Sequence, residues 1–370
     1  MKKLVRKSLL LGLLVGSMAL VGCGGGNGTT SKKPSGDSSK QAGSSADSGL
    51  PKYEVKFVGD DGAEISKETV ERGASLTKPA DPTAPAGKAF YGWMNVKNGG
   101  QIWDFEHEDV NIVLKDVELK PLFVDASLQP QYLEGELCPD IVAFDYEKND
   151  DGSYKLDDNG NQIPIPMDGA TYSGGQKGKG LIYRNYDNEF GAHGAYIRED
   201  IEEDGKTIKG KARYATESDP ADEVFGGFVH FLYIKGDRLT WEVESDVAVD
   251  NVTLFMRISG EYGLSNEYDD KVSFKFTDEM VKVKVNDEAL KYGEVTIANV
   301  EAKTFINFQD YFVSASVSLR QGKNTIQMLV DNSSTLDGTI ASTAPCIDCI
   351  KLYSSSTITW NDAQIDNLSK

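Results

Sequence analysis

An all-β protein in two parts, a small strand-rich module followed by a larger β-sandwich, is what the sequence predicts. Three observations carry that prediction. Glycine occurs 37 times and tyrosine 16 times in 370 residues, a turn-rich, strand-favouring composition. Short apolar segments alternate with polar residues between Gly, Pro and Asp clusters, the rhythm of strands. Long amphipathic helical patterns are missing. The chain is also acidic, with 39 Lys+Arg against 58 Asp+Glu and a formal net charge of −19. So acidic a chain repels phosphate backbones, which argues against a nucleic-acid partner. Its three histidines, His107, His193 and His230, lie far apart in sequence and offer little material for His-based metal clusters or Ser-His-Asp chemistry.

The first element is an export signal. Lys2, Lys3, Arg6 and Lys7 surround the start of an apolar run that reaches Val21 and is too short for a stable membrane span. The run ends Leu20-Val21-Gly22-Cys23, which resembles the bacterial lipobox, where small residues precede a cysteine that receives diacylglycerol. The resemblance makes residues 1–22 a lipoprotein signal peptide and Cys23 the lipidated first residue of the mature protein. Two acyl chains give stable anchoring where one is marginal. Residues 23–50, mostly Gly, Ser, Lys and Asp, are a flexible linker. The expected place is the outer face of the bacterial cytoplasmic membrane, with the folded part held off the lipid.

Residues 51–125 form the small module. Tyr53 to Phe57 alternates and runs into the turn Gly59-Asp60-Asp61-Gly62. Thr69-Val70 precedes a second turn at Glu71-Arg72-Gly73, and Phe90 to Trp93, Trp103 to Phe105 and Val117 to Phe123 complete the strand pattern. Five spaced elements occur in order: V-x-F at Val55, V-x-x-G at Val70, P-x-x-P at Pro79, F-x-G-W at Phe90 and D-F at Asp104. This stretch resembles the internalin-type B repeat, also called the Listeria–Bacteroides repeat, along its whole length. The resemblance implies a β-grasp-like fold and a spacer or adhesive role at bacterial surfaces. Only one copy is present, so the chain does not build a stalk of repeats. Trp93, Trp103 and Phe105 are expected in the core, because a module this small needs large aromatics.

Residues 126–370 read as a sandwich of eight or more short strands. The clear ones are Arg238 to Val243, Val252 to Ile258, Val281 to Val285, Val313 to Leu319, Thr325 to Val330 and Ile347 to Tyr353. Leu133-Glu134-Gly135-Glu136 opens the module; Gly236-Asp237-Arg238-Leu239-Thr240-Trp241 and Leu319-Arg320-Gln321-Gly322-Lys323-Asn324-Thr325-Ile326 follow, and Ile347-Asp348-Cys349-Ile350-Lys351-Leu352 closes it. In that order the motifs resemble carbohydrate-binding modules of the galactose-binding-like, jelly-roll type, families 6 and 35 and their relatives.

That resemblance implies neighbouring first and last strands with a structural calcium ion between them. Glu134 and Glu136 are two apart and share one face of a strand, and Asp348 would complete a set of hard oxygen ligands. It also implies a sugar site in the loops at one end of the sandwich, where aromatic faces stack on sugar C–H groups and amides fix hydroxyls. The candidates are Tyr183 and Tyr186 in a loop of mixed chemistry, Tyr262 after a strand, Phe308 and Tyr311 before one, and Asn332 near the last. Cys346 stands where the family has Asn before the closing motif.

Gly174 to Gly180 has one residue too few for a phosphate loop and lacks the Ser/Thr after its Lys. Asn149 to Gly160 reads as two tight turns of a hairpin insertion rather than a calcium loop. No pair of acids is marked out for glycosidase chemistry, so no enzyme is expected. Beyond Cys23, the cysteines are Cys138, Cys346 and Cys349; one disulfide from Cys138 to either of the others, or three free thiols, both fit. The expected function is a non-catalytic surface lipoprotein that captures a polysaccharide or other glycan. The rival is an adhesin or scaffold that binds surface proteins with a sandwich lacking a sugar site.

Overall fold

The computed structural model describes residues 49–108, 110–166, 227–230, 234–260, 274–297, 308–331 and 344–360, with shorter stretches between them. The repeat is built from β1 (Lys52–Val58), β2 (Glu64–Glu71), β3 (Lys88–Asn95), β4 (Gln101–Ile102) and β5 (Val117–Asp125). β1 pairs antiparallel with β2 and parallel with β5, and β3 pairs antiparallel with β5 and β4. This mixed sheet with its first and last strands adjacent is the pairing a β-grasp-like module requires. Alternation in β1 sends Val55 and Phe57 inward, where they meet Trp93, Trp103, Leu76, Val113 and Leu119. Phe57 and Trp93 meet edge to face at 5.3 Å. Trp103 donates from Nε1 to Asn111 Oδ1 at 2.9 Å, which satisfies its polar end inside the core. Gly73 at the second turn has φ +86°, a conformation that side chains resist.

The sandwich begins with β6 (Pro130–Glu134), β7 (Asp140–Val142), β8 (Phe144–Tyr146) and β9 (Pro164–Pro166). Short pieces follow at β10 (Ala170–Thr171), β11 (Lys177–Gly178), β12 (Leu181–Arg184), β13 (Tyr196–Glu203), β14 (Lys206–Tyr214) and β15 (Gly227–His230). Then come β16 (Arg238–Ser245), β17 (Val249–Ser259), β18 (Phe274–Phe276), β19 (Val281–Val285), β20 (Glu288–Ala289), β21 (Val295–Ile297), β22 (Gln309–Leu319) and β23 (Gly322–Val330). The last are β24 (Thr335–Leu336), β25 (Thr339–Ile340), β26 (Cys346–Tyr353) and β27 (Ile358–Trp360).

One sheet of the sandwich runs β12-β15-β26-β17-β22, with β6 on β26; the other runs β20-β19-β23-β16-β27, with β7 on β16. Their facing sides bury Leu254, Met256, Ile258, Ile350 and Leu352 against Leu239, Trp241, Val283, Ile326 and Met328. The period-two pattern of β16 is the reason: Leu239, Trp241 and Val243 point in while Glu242 and Glu244 point out. The first and last strands of the module do lie together, with Glu134 opposite Cys349 and Leu133 opposite Ile350. The insertion turns twice, at Asn149–Gly152 and Asp157–Gly160, where the glycine amides donate back at 2.9 and 3.0 Å.

Residues 51–125 and 126–370 do not behave as separate beads; the described residues belong to one compact unit, Gly49–Lys370. β4 of the repeat pairs with β22 of the sandwich through Gln101 and Tyr311, so one sheet runs through both modules. The outer face of the sandwich sheet is the repeat's landing surface. Phe255 and Tyr353 are buried there with Val124, against Tyr91, Leu122 and Phe312, forming a small core of their own. Tyr91 stacks on Phe255 at 4.5 Å. Strands β17, β22 and β26 are therefore covered on both faces where the repeat lies on them, unlike the half-solvated strands that alternation alone leads one to expect.

Candidate functional site

Three buried carboxylates meet where the sandwich closes. Glu134 ends β6, Glu136 follows two residues on, and Asp348 lies in β26; all three are fully buried. The strands come this close because of Gly135. Its amide donates to Asp348 O at 2.6 Å, and a Cβ there would stand 2.8 Å from Ile347 O and 2.9 Å from Asp348 O. Among the described residues Arg257 reaches the group: its Nε, on the neighbouring strand β17, lies 3.0 Å from Asp348 Oδ2. The carboxylates crowd one another in a dry place. Burial, and then the charges of Glu134 and Asp348, accordingly push the Glu136 carboxyl well above the usual carboxylate range. Neither oxygen of Glu136 has a hydrogen-bond partner of normal geometry. A hard divalent cation suits such oxygens, but the group whose ligand atoms lie within 4.8 Å of one another among the described residues is Glu134, Asp348 and Cys349, without Glu136. Cys349 adds its thiol within 4.8 Å of oxygens of Glu134 and Asp348, a donor calcium does not take.

Arg257 connects this cluster to the seam between the modules. Its Nη1 lies 3.2 Å from Asp310 Oδ1, and Lys351 Nζ lies 2.6 Å from Asp310 Oδ2. Burial alone would raise the Asp310 carboxyl, but the charges of Lys351 and Arg257 outweigh it and hold the group below its ordinary value. Further along the seam, Gln101 Nε2 donates to Gln309 Oε1 at 3.0 Å, and Asn98 exchanges two hydrogen bonds with the backbone of Thr296. Sequence reasoning missed Tyr91, Arg257, Asp310 and Lys351. The signal for the last three was charge in the middle of apolar strands, which needs a buried partner.

Beside this network a cleft of about 370 Å³ opens between the modules. Phe90, Trp103 and Phe105 of the repeat line one side, and Arg257, Phe308 and Gln309 of the sandwich line the other. On the rim Lys78 lies 3.0 Å from Asp81, and the His107 ring Nδ1 lies 2.6 Å from Asp104 Oδ2.

The sugar-site candidates are not gathered. Tyr183 lies in β12 opposite Phe228, in a strand rather than the expected loop, because Leu181–Arg184 completes the sheet edge beside Gly227–His230. Tyr311 is 1% exposed and belongs to the sandwich core, and Phe308 is 3% exposed with its ring 4.9 Å from Phe228. Neither offers a free face, because each points between the sheets or into the seam instead of outward at a loop. Tyr186, Tyr262 and Asn332 lie outside the described residues, as does Cys23.

Residues 53–119 match the family model of the Listeria-Bacteroides repeat domain. No curated protein matches the chain. Among solved structures the chain is similar to a family 35 carbohydrate binding module from an environmental isolate, at 14% identity and a TM-score of 0.25, over 48% of this chain and 96% of that one. It is similar to the CBM35 of Cellvibrio japonicus Abf62 at 14% and 0.25, over 49% and 98% of the two chains. A Xyl-CBM35 in complex with a glucuronic acid containing disaccharide is similar at 16% and 0.24, over 49% and 97%. The chain thus contains a Listeria–Bacteroides repeat domain at residues 53–119, and the solved structures similar to it include family 35 carbohydrate-binding modules.

Proposed function

We propose that this protein is a non-catalytic lipoprotein of the bacterial surface that binds carbohydrate with its sandwich and holds a structural calcium ion. One observation supports the reading above others. The motifs that resemble the modules of families 6 and 35 fall on strands in the expected order, and the acidic trio lies between the opening and closing strands. Glu134, Glu136 and Asp348 would hold the ion, whose charge offsets their mutual repulsion; Arg257 orients Asp348 from the side. The lipid on Cys23 and the linker after it would give the domain reach from the membrane.

Tyr183, Tyr186, Tyr262 and Asn332 remain the proposed contacts at the loop end. The test is binding of the full chain, in detergent, to immobilised polysaccharides, with Tyr183→Ala and Tyr186→Ala alongside. Retention on one polysaccharide that both changes weaken supports the reading. Retention on none, by protein that melts cooperatively, overturns it. The burial of Phe308 and Tyr311 favours the second reading, a protein-binding adhesin or scaffold, and binding to surface proteins without any glycan would establish that one.

A further inference from the structure

The cleft between the modules has a chemistry that the loop-end site does not explain. Two residues lining it carry buried N–H donors without a partner, Trp93 Nε1 and Gln309 Nε2. Trp93 is 2% and Gln309 5% exposed. Unpaired buried donors are rare and costly in native proteins, and each calls for an acceptor oxygen. The basic side chains described around the cleft already have acidic partners. Arg257 holds Asp310 and Asp348, Lys78 holds Asp81, and His107 holds Asp104. Among the described residues no wall cation is left over for an acidic ligand, and Glu106 on the rim repels one. The half-buried rings of Phe90 and Phe105 supply apolar surface of the kind that covers sugar C–H faces. A volume of about 370 Å³ lies within the range of small-ligand sites.

We infer that this cleft binds a neutral sugar of one or two rings and that the repeat and the sandwich form the site jointly. The oxygen-rich, uncharged ligand brings acceptors for the orphaned donors, apolar faces for the rings and no charge to be paired. The repeat is then half of a binding site rather than a spacer. The site is separate from the loop-end residues, and its ligand class is argued from the cleft itself.

The experiment is titration of the full chain in detergent with cellobiose, xylobiose, maltose, lactose and glucuronic acid, read by tryptophan fluorescence and by saturation-transfer NMR. Trp93 and Trp103 both border the cleft, so occupation should change their emission. One neutral disaccharide should bind in roughly the millimolar range, and glucuronic acid should not compete. Phe105→Ala should weaken binding about tenfold, and Gln309→Leu should weaken it too, with melting temperature checked for both. Leu156→Ala, at an exposed position on the hairpin insertion away from the cleft, should leave it unchanged. Binding lost with Tyr183→Ala but kept with Phe105→Ala would overturn the cleft while sparing the loop-end site. Tighter binding of glucuronic acid, or no binding of any neutral disaccharide to folded protein, would also overturn it.

Discussion

The hydroxyl of Tyr91, in the repeat, donates to the carboxylate of Asp310, in the sandwich. Lys351 Nζ donates to both, at 2.8 Å to the phenol oxygen and 2.6 Å to the carboxylate. Two modules that read as beads on a string are thus locked by a buried acid that serves both, with Arg257 as its second cation. Seen from Tyr91, the pairing with Asp310 and the stacking on Phe255 act together to fix the repeat's orientation.

Removing the acid should uncouple the modules. Asp310→Ala leaves Arg257 and Lys351 without the charge that holds them and should cost about 3–5 kcal/mol. Tyr91→Phe removes one hydrogen bond and keeps the stacking, so it should cost only about 1–2 kcal/mol. Urea melts of the two variants give the comparison. Equal losses would mean that the carboxylate is not the keystone.

Acid should weaken the same lock. The folded-state value of Asp310 lies below its ordinary value, first against the pull of burial and then through Lys351 and Arg257. An unfolded Asp titrates near about 3.9, so the group's contribution is fully present above that pH and is lost as pH falls through the lower folded value. Stability should therefore drop below about pH 4, and Asp310→Asn should flatten that part of the profile. A wild-type curve that stays level to the acid limit would contradict the sign.

Calcium should stabilise the sandwich through Glu134, Glu136 and Asp348. At a hundredfold excess over its dissociation constant a bound ion adds about 2.7 kcal/mol, or about 5–10 °C in a domain of this size. EDTA should remove the gain, and Glu136→Gln should abolish it with little effect on the EDTA-treated protein. Zinc is the informative control, because Cys349 offers a sulfur that calcium ignores. A larger shift with zinc than with calcium would point to the thiol as a ligand.

The strands were legible because burial on one face leaves a period-two trace, and the core tryptophans because small modules need them. The meeting of Glu134 and Asp348 was legible too, since Glu134 precedes a glycine at a strand end and Asp348 sits in the closing motif, whereas the place of Cys349 beside them was not. The seam was not. Phe255, Phe312 and Tyr353 occupy outward positions on the sandwich sheet, and alternation says only that they face away from the first core, not that a second module covers them. Phe308 and Tyr311 misled for the same reason: an aromatic beside a turn looks the same in sequence whether it stacks on a ligand or on Phe228. Gln309 carried no signal at all, because an unpaired amide is a property of three-dimensional neighbours.

Sheet continuity across the seam depends on Gly100. It has φ +78°, and a Cβ there would lie 2.4 Å from Phe312 O, the residue whose amide donates to Gly100 O at 2.9 Å. Gly100→Ala combines backbone strain of about 1–3 kcal/mol with a clash that backbone atoms cannot relieve. It should lower the melting temperature more than Gly62→Ala, which shares a positive φ of +81° but has open space around it, and it alone should expose the linker between β5 and β6 to protease. Equal protease resistance in both variants would show that the seam does not hold the modules together.

Thiol chemistry separates the two alternatives that the cysteine count leaves open. Cys138, Cys346 and Cys349 are buried and outside any disulfide, with Cys138 Sγ 3.3 Å from the carbonyl of Thr240. Burial raises the Cys138 and Cys349 thiols well above their ordinary values, and the carboxylates of Asp348 and Glu134 raise Cys349 further. A thiol that is neither exposed nor ionised is a poor nucleophile. The native chain should therefore label with Ellman's reagent at these positions only when denaturant opens the sandwich, and its mass should be the same with and without reductant. A mass lower by two hydrogen atoms before reduction would show a disulfide between two of them, and rapid labelling of one thiol in the folded protein would show it exposed; either would require β6 and β26 to close differently.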